Sequence, residues 1–425
     1  MTFGNISIVL IGTLDTKLEE TLYLRSQILE HDPSANVVLI DSGRTAVNHE
    51  AISVPQAKVL EASGYTGENS DFESLPRNEI IKTVVKGAIP VVKQLLADGK
   101  AHAVIGLGGS NGTSIASAVM RALPLLIPKL IVSTVASGDT RFYVGESDIS
   151  MMYSVVDISG LNQILRDVID NAAAAILGMA KAYALRNRKG KSGKQKRQAG
   201  ITMFGVTTKA VDHIRECISR EAGCEVYVFH ATGSGGRAME RLISEGKLDM
   251  VVDLTTTELA DELVGGVFGA GKDRLTAAAK AGIPQIVSVG ALDMVNFGPR
   301  DTLPSTFQNR NIAVHNPSAT LIRTTPEESE ELGRRLAQRL RDNCTQPKLT
   351  EVWLPLRGTS VISVKGQPFY DKAADEALLS AVKKGLDGSG IEVVEVDADI
   401  NDERFSERLA RRITVLVQRY ESMHR

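Results

Sequence analysis

One stretch of the chain, residues 103–123, restricts the fold more than any other because glycines join a buried strand to a helix there. It reads AVIGLGGSNGTSIASAVMRAL. An apolar run that breaks into glycines and resumes with apolar residues at helical spacing predicts a strand, a tight turn and a helix N-terminus. This unit is the repeating element of α/β proteins with parallel sheets.

The same stretch is compatible with two chemistries. Backbone N–H groups at a helix N-terminus attract anions such as phosphate, and glycines let the ligand approach the backbone closely. We therefore expect a phosphate-binding loop formed by Gly108, Gly109, Ser110, Asn111, Gly112 and Thr113. Residues 108–112 also match G-x-S-x-G, the nucleophile elbow of serine hydrolases, which requires the same strand and helix.

The hydrolase interpretation, with Ser110 as nucleophile, has less support. An oxyanion segment of the His-Gly-Gly-Gly type does not precede the loop in the sequence. The first domain is expected to end near residue 185, so the later histidines belong to another domain. A P-loop is also absent, because Gly-Lys-Ser/Thr does not follow the strand. Any nucleotide is therefore expected on a non-Walker loop.

Composition predicts a protein of the ordinary globular class. The 425 residues are 43% hydrophobic and 24% charged, and the formal net charge is −2. A balance so near neutrality gives no argument for nucleic-acid or membrane binding. Cys217, Cys224 and Cys344 lack the spacing of a metal site and are expected to be free thiols. Because we find neither a signal peptide nor an apolar stretch of the ~20 residues that span a bilayer, we expect a cytoplasmic protein.

Strand-like and helix-like segments alternate through the first 185 residues, which predicts a Rossmann-like nucleotide-binding domain over 1–185. We expect strands at 5–11, 36–40, 103–107 and 129–134. We expect helices at 16–29, 77–98, 114–123 and 161–185. The next segment, 186–198, contains seven basic residues and no acidic or apolar side chain, so it is interpreted as an exposed linker. A nucleic-acid-binding or localisation patch is the less favoured alternative.

The alternation resumes after the linker and predicts a second Rossmann-like α/β domain over 199–425. We expect strands at 201–206, 225–229, 250–254, 285–289, 361–364 and 392–396. We expect helices at 209–221, 237–245, 327–342, 373–385 and 403–420, and a loop-rich stretch from 290 to 317. The fold class is therefore α/β, with two doubly wound domains and mainly parallel sheets.

Loops after the first two strands carry candidate ligand contacts, because ligands bind beyond the carboxyl ends of parallel strands. Asp15 and Lys17 follow the first strand. Thr16 and Glu19 have capping-box spacing, which explains this loop equally well, while Lys17 is long enough to reach a phosphate. Asp41 follows the second strand, where it would hold ribose hydroxyls or form a turn.

The loop after the strand at 129–134 combines small residues, hydroxyls, an acid and an arginine: Ser137, Gly138, Asp139, Thr140 and Arg141. We expect phosphate contacts from Thr140 and Arg141, and a magnesium-bound water or Mg²⁺ at Asp139. A plain turn followed by a surface ion pair is the alternative.

The second domain has its own glycine loop, formed by Gly233, Ser234, Gly235 and Gly236. It follows a strand and begins a helix, as a dinucleotide fingerprint does, and Asp253 lies about 20 residues further on as a candidate ribose acid. We expect this loop to face the same cleft as the first. The polar stretch 309–317 is interpreted mainly as a structural loop, with His315 as a candidate acid, and the stretch 355–360 as a ligand loop or a simple turn.

Several motifs together resemble the Tm-one-like ATP-binding domain family, named for a plant tobamovirus-resistance protein. The resemblance covers nearly the whole chain and is carried by residues 11–17, 108–113, 137–140, 151–157, 160–162, 315–317 and 366–375. It implies two Rossmann-like domains, ATP with Mg²⁺ as ligand, and a homodimer.

Two functions therefore remain open from the sequence. The first is an ATP-binding enzyme that transfers a phosphoryl group to a small metabolite. The second is a nucleotide-dependent protein-interaction module without turnover. A catalytic acid near the γ-phosphate, such as Asp139, Asp253 or His315, would favour the enzyme.

Overall fold

The computed structural model describes residues 6–188, 196–221 and 223–424. The chain divides into two compact units, Met1–Gly193 and Lys194–Arg425, which we call unit 1 and unit 2. Each contains a six-stranded parallel sheet. The α/β class with mainly parallel sheets, predicted from the sequence, is confirmed.

Unit 1 has the strand order β3-β2-β1-β4-β5-β6. Its strands are β1 (Ser7–Gly12), β2 (Asn36–Asp41), β3 (Ile52–Val54), β4 (Ala103–Gly108), β5 (Lys129–Ser133) and β6 (Ser150–Tyr153). Its helices are α1 (Leu14–His31), α2 (Gln56–Ser63), α3 (Asn69–Ser74), α4 (Arg77–Ala97), α5 (Ser110–Arg121), α6 (Arg141–Val144) and α7 (Gln163–Arg188).

Both faces of the unit 1 sheet are covered, so its central strands are apolar throughout. In β1, Ile8 and Leu10 pack in the same core as α1 and α7. Val9 and Ile11 belong to a second core shared with α2, α4 and α5. Burial on both faces explains why these strands read as continuous apolar runs instead of alternating ones.

The helix α7 is long and apolar enough to span a membrane, judged by its length and composition alone. This differs from our expectation that no apolar stretch approaches the ~20 residues that span a bilayer. Its buried residues recur at helical spacing, from Leu165 and Ile169 to Ala180 and Ala184, and they pack in the core beneath the sheet. A helix that packs in a protein core can have the same length and apolar composition as one that spans a membrane.

The segment between the last helix of unit 1 and the first strand of unit 2 is shorter at both ends than the predicted linker. Helix α7 continues to Arg188, and β7 already begins at Gln198. Basic side chains do not stop a helix whose other face is buried, because they extend into solvent. Residues 189–195 of the linker lie outside the described residues.

Unit 2 has the strand order β15-β14-β10-β9-β7-β8, with a separate antiparallel sheet β11-β13-β12. Its strands are β7 (Gln198–Met203), β8 (Glu225–His230), β9 (Met250–Thr255), β10 (Gln285–Gly290), β11 (Met294–Phe297), β12 (Ile312–Asn316), β13 (Ala319–Arg323), β14 (Thr350–Pro355) and β15 (Glu392–Val396). Its α-helices are α8 (Thr208–Glu221), α9 (Ser234–Ser244), α10 (Glu258–Val264), α11 (Ala277–Ala281), α12 (Pro326–Asn343), α13 (Lys372–Leu386) and α14 (Glu403–Met423).

Several element predictions in unit 2 were wrong. The strand expected at 361–364 is a turn, in which the Ser363 hydroxyl accepts hydrogen bonds of 3.0 Å from the backbone amides of Thr359 and Ser360. The strand in this region is instead β14. Its buried Glu351 interrupts the apolar pattern, and Arg412 neutralises that carboxylate at 2.7 Å. The stretch from 290 to 317 contains β11 and β12 instead of loop alone.

Candidate functional site

The chain reverses its strand order between β1 and β4 of unit 1, and the crevice at such a switch point is where doubly wound sheets bind ligands. The loops that leave these strands lie side by side. A Cβ atom built at Gly112 would lie 3.8 Å from Oγ1 of Thr13, which follows β1. One built at Gly109 would lie 3.7 Å from Oγ1 of Thr134, which follows β5. Three loops therefore border the crevice.

The glycines of the first loop have two different roles. A Cβ at Gly108 would lie 2.9 Å from Cα of Gly112, and one at Gly106 would lie 2.6 Å from Cβ of Ala116. These three glycines therefore let α5 pack closely on β4. Gly109 has room for a side chain and an ordinary φ of −75°, so its backbone is open towards the crevice.

Helix α5 begins at Ser110, four residues earlier than predicted, and its N-cap residue is Gly109, which has no side chain to cap the helix. The N–H groups of the first helical turn have no partners within the helix, except that Thr113 N–H donates to the Gly109 carbonyl at 2.9 Å. The Thr113 hydroxyl is fully buried, 2.7 Å from Oγ of Ser133. Ser110 is exposed and Asn111 is half-buried. The amides and these two side chains, not the Thr113 hydroxyl, can therefore meet a ligand.

The capping box expected at Thr16 and Glu19 is not formed. Helix α1 begins earlier, at Leu14, and the Thr16 hydroxyl contacts the Thr13 carbonyl at 3.4 Å. Lys17 interrupts the helix with φ −134° and ψ 29°. Its side chain forms no hydrogen bond or ion pair with any residue that the structure describes. The cation is therefore free to meet a ligand beside the loop after β1.

Asp41 forms a turn instead of facing a ligand. Its carboxylate is fully buried and accepts hydrogen bonds from the backbone amides of Gly43 at 2.9 Å and Val47 at 3.2 Å. Burial raises the pKa of Asp41, and the nearby Asp15 carboxylate raises it further. With both oxygens engaged, Asp41 is poorly placed to hold ribose.

Asp15 lies against the same turn. Its Oδ2 accepts hydrogen bonds from the amides of Arg44 at 2.9 Å and Thr45 at 3.4 Å. A Cβ at Gly43 would lie 2.8 Å from Asp15 Oδ1, so the turn leaves no space for a side chain there. Oδ1 itself is buried without a hydrogen-bond partner among the described residues.

The loop after β5 forms a turn closed by an exposed ion pair. Asp139 accepts hydrogen bonds from Arg141 Nε at 3.0 Å and Nη2 at 2.7 Å, and this guanidinium lowers the pKa of Asp139 to about 2. Ser137 and Gly138 are exposed, and Thr140 precedes the four-residue α6 without capping it. Within the described residues, no group of three or more His, Cys, Asp or Glu side chains could hold a metal. The expected metal role of Asp139 thus has no supporting ligands.

The second glycine loop differs from the first because an internal carboxylate already occupies it. Gly233 N–H donates to Glu258 Oε1 at 2.7 Å, and Gly236 N–H donates to the same oxygen at 3.0 Å. A Cβ at Gly236 would lie 2.0 Å from Glu258 Oε2, and one at Gly235 would lie 1.9 Å from the His230 carbonyl oxygen. The loop is shaped as an anion cradle, but Glu258 supplies the anion.

Beneath this loop lies a fully buried guanidinium bound by three acids, which we call the Arg274 cluster. Arg274 donates to Glu258 at 2.6 Å, to Asp253 Oδ1 at 2.6 Å and to Glu240 at 3.2 Å. Asp253 is therefore not a free ribose acid. Glu258, Glu240 and Arg274 were not predicted from the sequence. Glu258 begins α10, three residues after the last residue of β9, on the side of the sheet where ligand-contacting acids occur.

The polar stretch at 309–317 has a structural role in part. Arg310 pairs with Glu328 at 2.6 Å, and Asn311 Nδ2 donates to the Pro368 carbonyl at 2.8 Å. His315 is exposed on β12.

Comparison with known proteins places both units in one family. Residues 6–185 match the model of the uncharacterised protein family UPF0261 N-terminal domain, and residues 196–417 match the C-terminal domain of the same family. The chain belongs to the UPF0261 family. The resemblance inferred from the motifs is confirmed, because UPF0261 relatives include the tomato Tm-1 proteins.

Individual UPF0261 relatives are similar along most of the chain. A UPF0261 protein from Clostridium tetani is 43% identical over 98% of this chain and 100% of its own length. One from Rhizobium meliloti is 40% identical over 94% of this chain and 96% of its own length. The tomato ToMV resistance protein Tm-1(GCR237) is 37% identical over 94% of this chain but only 54% of its own length.

Among solved structures, a UDP-N-acetylglucosamine 2-epimerase aligns with 67% of this chain and 79% of its own at 13% identity, with a TM-score of 0.18. A TM-score of this size does not establish a shared fold.

Proposed function

We propose that unit 1 binds the phosphate groups of a nucleotide, ATP in the first instance, in the crevice between β1 and β4. The observation that carries the proposal is the open N-terminus of α5 at the switch point of the sheet. The amides of Ser110, Asn111 and Gly112 supply hydrogen-bond donors there, and the helix dipole favours negative charge. Lys17 adds a cation beside the adjacent loop.

The contrast between the two glycine loops supports this assignment. In unit 2 a carboxylate accepts hydrogen bonds from two of the loop amides, so a glycine loop at a helix N-terminus of this chain does hold an anion. Within the described residues of unit 1, no side chain caps α5. We propose that a phosphate group occupies this position in unit 1, as Glu258 does in unit 2.

The acids of the crevice fit a nucleotide better than a protein-held metal. Asp139 is committed to Arg141, and Asp41 is committed to backbone amides. We propose that Mg²⁺ enters bound to the nucleotide phosphates instead of being held by a cluster of carboxylates.

We also propose that unit 1 binds the nucleotide without transferring a phosphoryl group. Of the three expected catalytic acids, Asp139 is ion-paired and Asp253 is buried in the Arg274 cluster, which leaves His315, exposed on β12 of unit 2. The hydrolase alternative lacks a base, because the Ser110 hydroxyl has no hydrogen-bond partner among the described residues. Single-turnover incubation with labelled ATP tests this part, and release or transfer of the label would contradict it.

Thermal shift with ATP and Mg²⁺ tests the site itself. Bound nucleotide at 100 times its Kd stabilises the folded state by about 2.7 kcal/mol. Gly109→Asp should abolish the shift, because Gly109 has room for the side chain and the new carboxylate competes for the α5 amides. Gly109→Ala should retain it, and Lys17→Gln should weaken binding about tenfold, as loss of a charged hydrogen bond does.

The control is Gly178→Asp, which adds the same charge at an exposed position of α7 with open space around it. The site assignment is wrong if Gly109→Asp keeps the full ATP-induced shift, or if Gly178→Asp loses it as well.

A further inference from the structure

Three aromatic side chains of unit 2 meet at the carboxyl ends of its strands, and we call them the aromatic platform: Phe204, His230 and Phe268. Phe204 follows β7 and stacks on His230, the last residue of β8, with ring centroids 5.4 Å apart and planes 20° apart. Phe268 meets Phe204 edge to face at 6.2 Å. Both arrangements are favourable for aromatic rings.

The platform lies beside the switch point of its own sheet. The order β8-β7-β9-β10 reverses between β7 and β9, which is where doubly wound sheets bind ligands. The surrounding loops are held together, since Arg237 Nη1 donates to the Gly269 carbonyl at 3.0 Å. A Cβ at Gly233 would also lie 2.9 Å from that carbonyl oxygen. These contacts hold in place the loops that surround the rings.

The rings are partly open to solvent. His230 is exposed, and Phe204 and Phe268 are half-buried. Gly205, next to Phe204, is exposed, and a Cβ built there would meet no described heavy atom within 4 Å. A flat molecule thus has space to lie against the platform.

The charges below the platform disfavour an anionic ligand. The amides of Gly233 and Gly236 are already taken by Glu258, so they offer no donors to a phosphate. The Arg274 cluster beneath them has three carboxylates for one guanidinium. A phosphate would therefore compete with Glu258 for the amides of Gly233 and Gly236 and would lie above an acidic cluster.

We infer that the aromatic platform is a second ligand site, which binds an uncharged planar heteroaromatic ring of the nucleobase or nucleoside class. Stacking supplies the binding energy, since every base presents a π-face to an aromatic side chain. This site is independent of the phosphate site proposed for unit 1.

Equilibrium dialysis of the full chain against adenosine, guanosine, cytidine and uridine tests the inference. The Gly109→Asp variant serves as the background, so that unit 1 does not contribute. We expect retention of at least one nucleoside, and weaker retention of its 5′-monophosphate. His230→Ala and Phe204→Leu should each reduce retention about tenfold, as loss of a stacking partner does.

The matched control is His424→Ala, which removes another exposed histidine of unit 2 and should leave retention unchanged. Far-UV circular dichroism checks that each variant is folded. If Phe204→Leu does not fold, His230→Ala alone tests the inference, because His230 is exposed. Retention of none of the four nucleosides overturns the inference. So does retention that is equal in the parent and in folded His230→Ala, or stronger binding of the monophosphate.

Discussion

The carboxylate of Glu258 accepts a hydrogen bond of 2.7 Å from the backbone amide of Gly233. This contact distinguishes the two glycine loops of the protein, which look alike in sequence. In unit 2 the loop is closed by the protein's own anion, whereas in unit 1 no side chain of a described residue hydrogen-bonds the amides at the N-terminus of α5. The difference directs a search for bound phosphate to unit 1.

Replacing Glu258 with glutamine should strongly destabilise unit 2. Glutamine keeps the size of the side chain but removes the charge that Arg274 faces in a fully buried setting. Because Arg274 keeps Asp253 and Glu240 as partners, we expect a cost of about 1–3 kcal/mol in the free energy of unfolding, as for a buried hydrogen-bonding group left unsatisfied. Urea unfolding measures the change. Glu407→Gln, which breaks the exposed pair with Arg411, should cost less than about 1 kcal/mol.

Substitutions in the first glycine loop should separate packing from ligand contact. Gly108→Ala places a methyl group 2.9 Å from the Gly112 backbone and should cost about 1–3 kcal/mol, as overpacking does. Gly109→Ala meets no such obstacle and should leave the free energy of unfolding nearly unchanged. Urea unfolding of both variants provides the measurement, and equal effects would mean that the loop packs differently from this description.

Stability should fall as pH rises from about 4 to about 7, in part because of Asp261. Burial raises the pKa of Asp261 from 3.8 to about 7, against the hydrogen bonds from Asn296 and Phe268 that favour the ionised form. The folded state therefore binds a proton that the unfolded state releases near pH 4. The resulting stabilisation is complete below that pH and is lost as pH rises through about 7. It amounts to at most about 4 kcal/mol.

Unfolding measured between pH 4 and pH 8 should show this slope in the wild type and a shallower one in Asp261→Asn. Part of the slope should remain in this variant, because burial also raises the pKa of Asp375 to about 7. Asp402→Asn is the control, since Arg404 lowers the pKa of Asp402 to about 2 and its effect belongs below pH 4. An unchanged slope in Asp261→Asn would exclude the assignment.

Patterns that depend on neighbouring residues were predictable from the sequence. The buried strands β1 and β4 are almost continuous apolar runs, and the alternation of such runs with helical spacing indicates a parallel sheet. The glycines at 106, 108 and 112 mark the close packing of a helix on a strand. These features are local because they arise from the periods of helix and strand.

Contacts between residues that are distant in sequence could not be predicted from local patterns, and a charged residue inside a strand then looks like a break in the strand. Strand β14 contains Glu351, which reads as a break until Arg412, 61 residues away in sequence, neutralises it. The capping box at Thr16 and Glu19 matches the motif, but the preceding turn begins the helix earlier.

The sequence by itself determined the α/β class, the glycine loop after β4 and the family, since these depend on local periodicity and contiguous motifs. Only the tertiary structure decided which polar residues are open to a ligand. Asp41 and Asp253 stand at strand ends as ligand-binding acids do, yet backbone amides and Arg274 engage them. The partner of each carboxylate comes from a distant part of the chain or from the path of its own turn. The cost of leaving a buried charge unpaired makes these contacts obligatory.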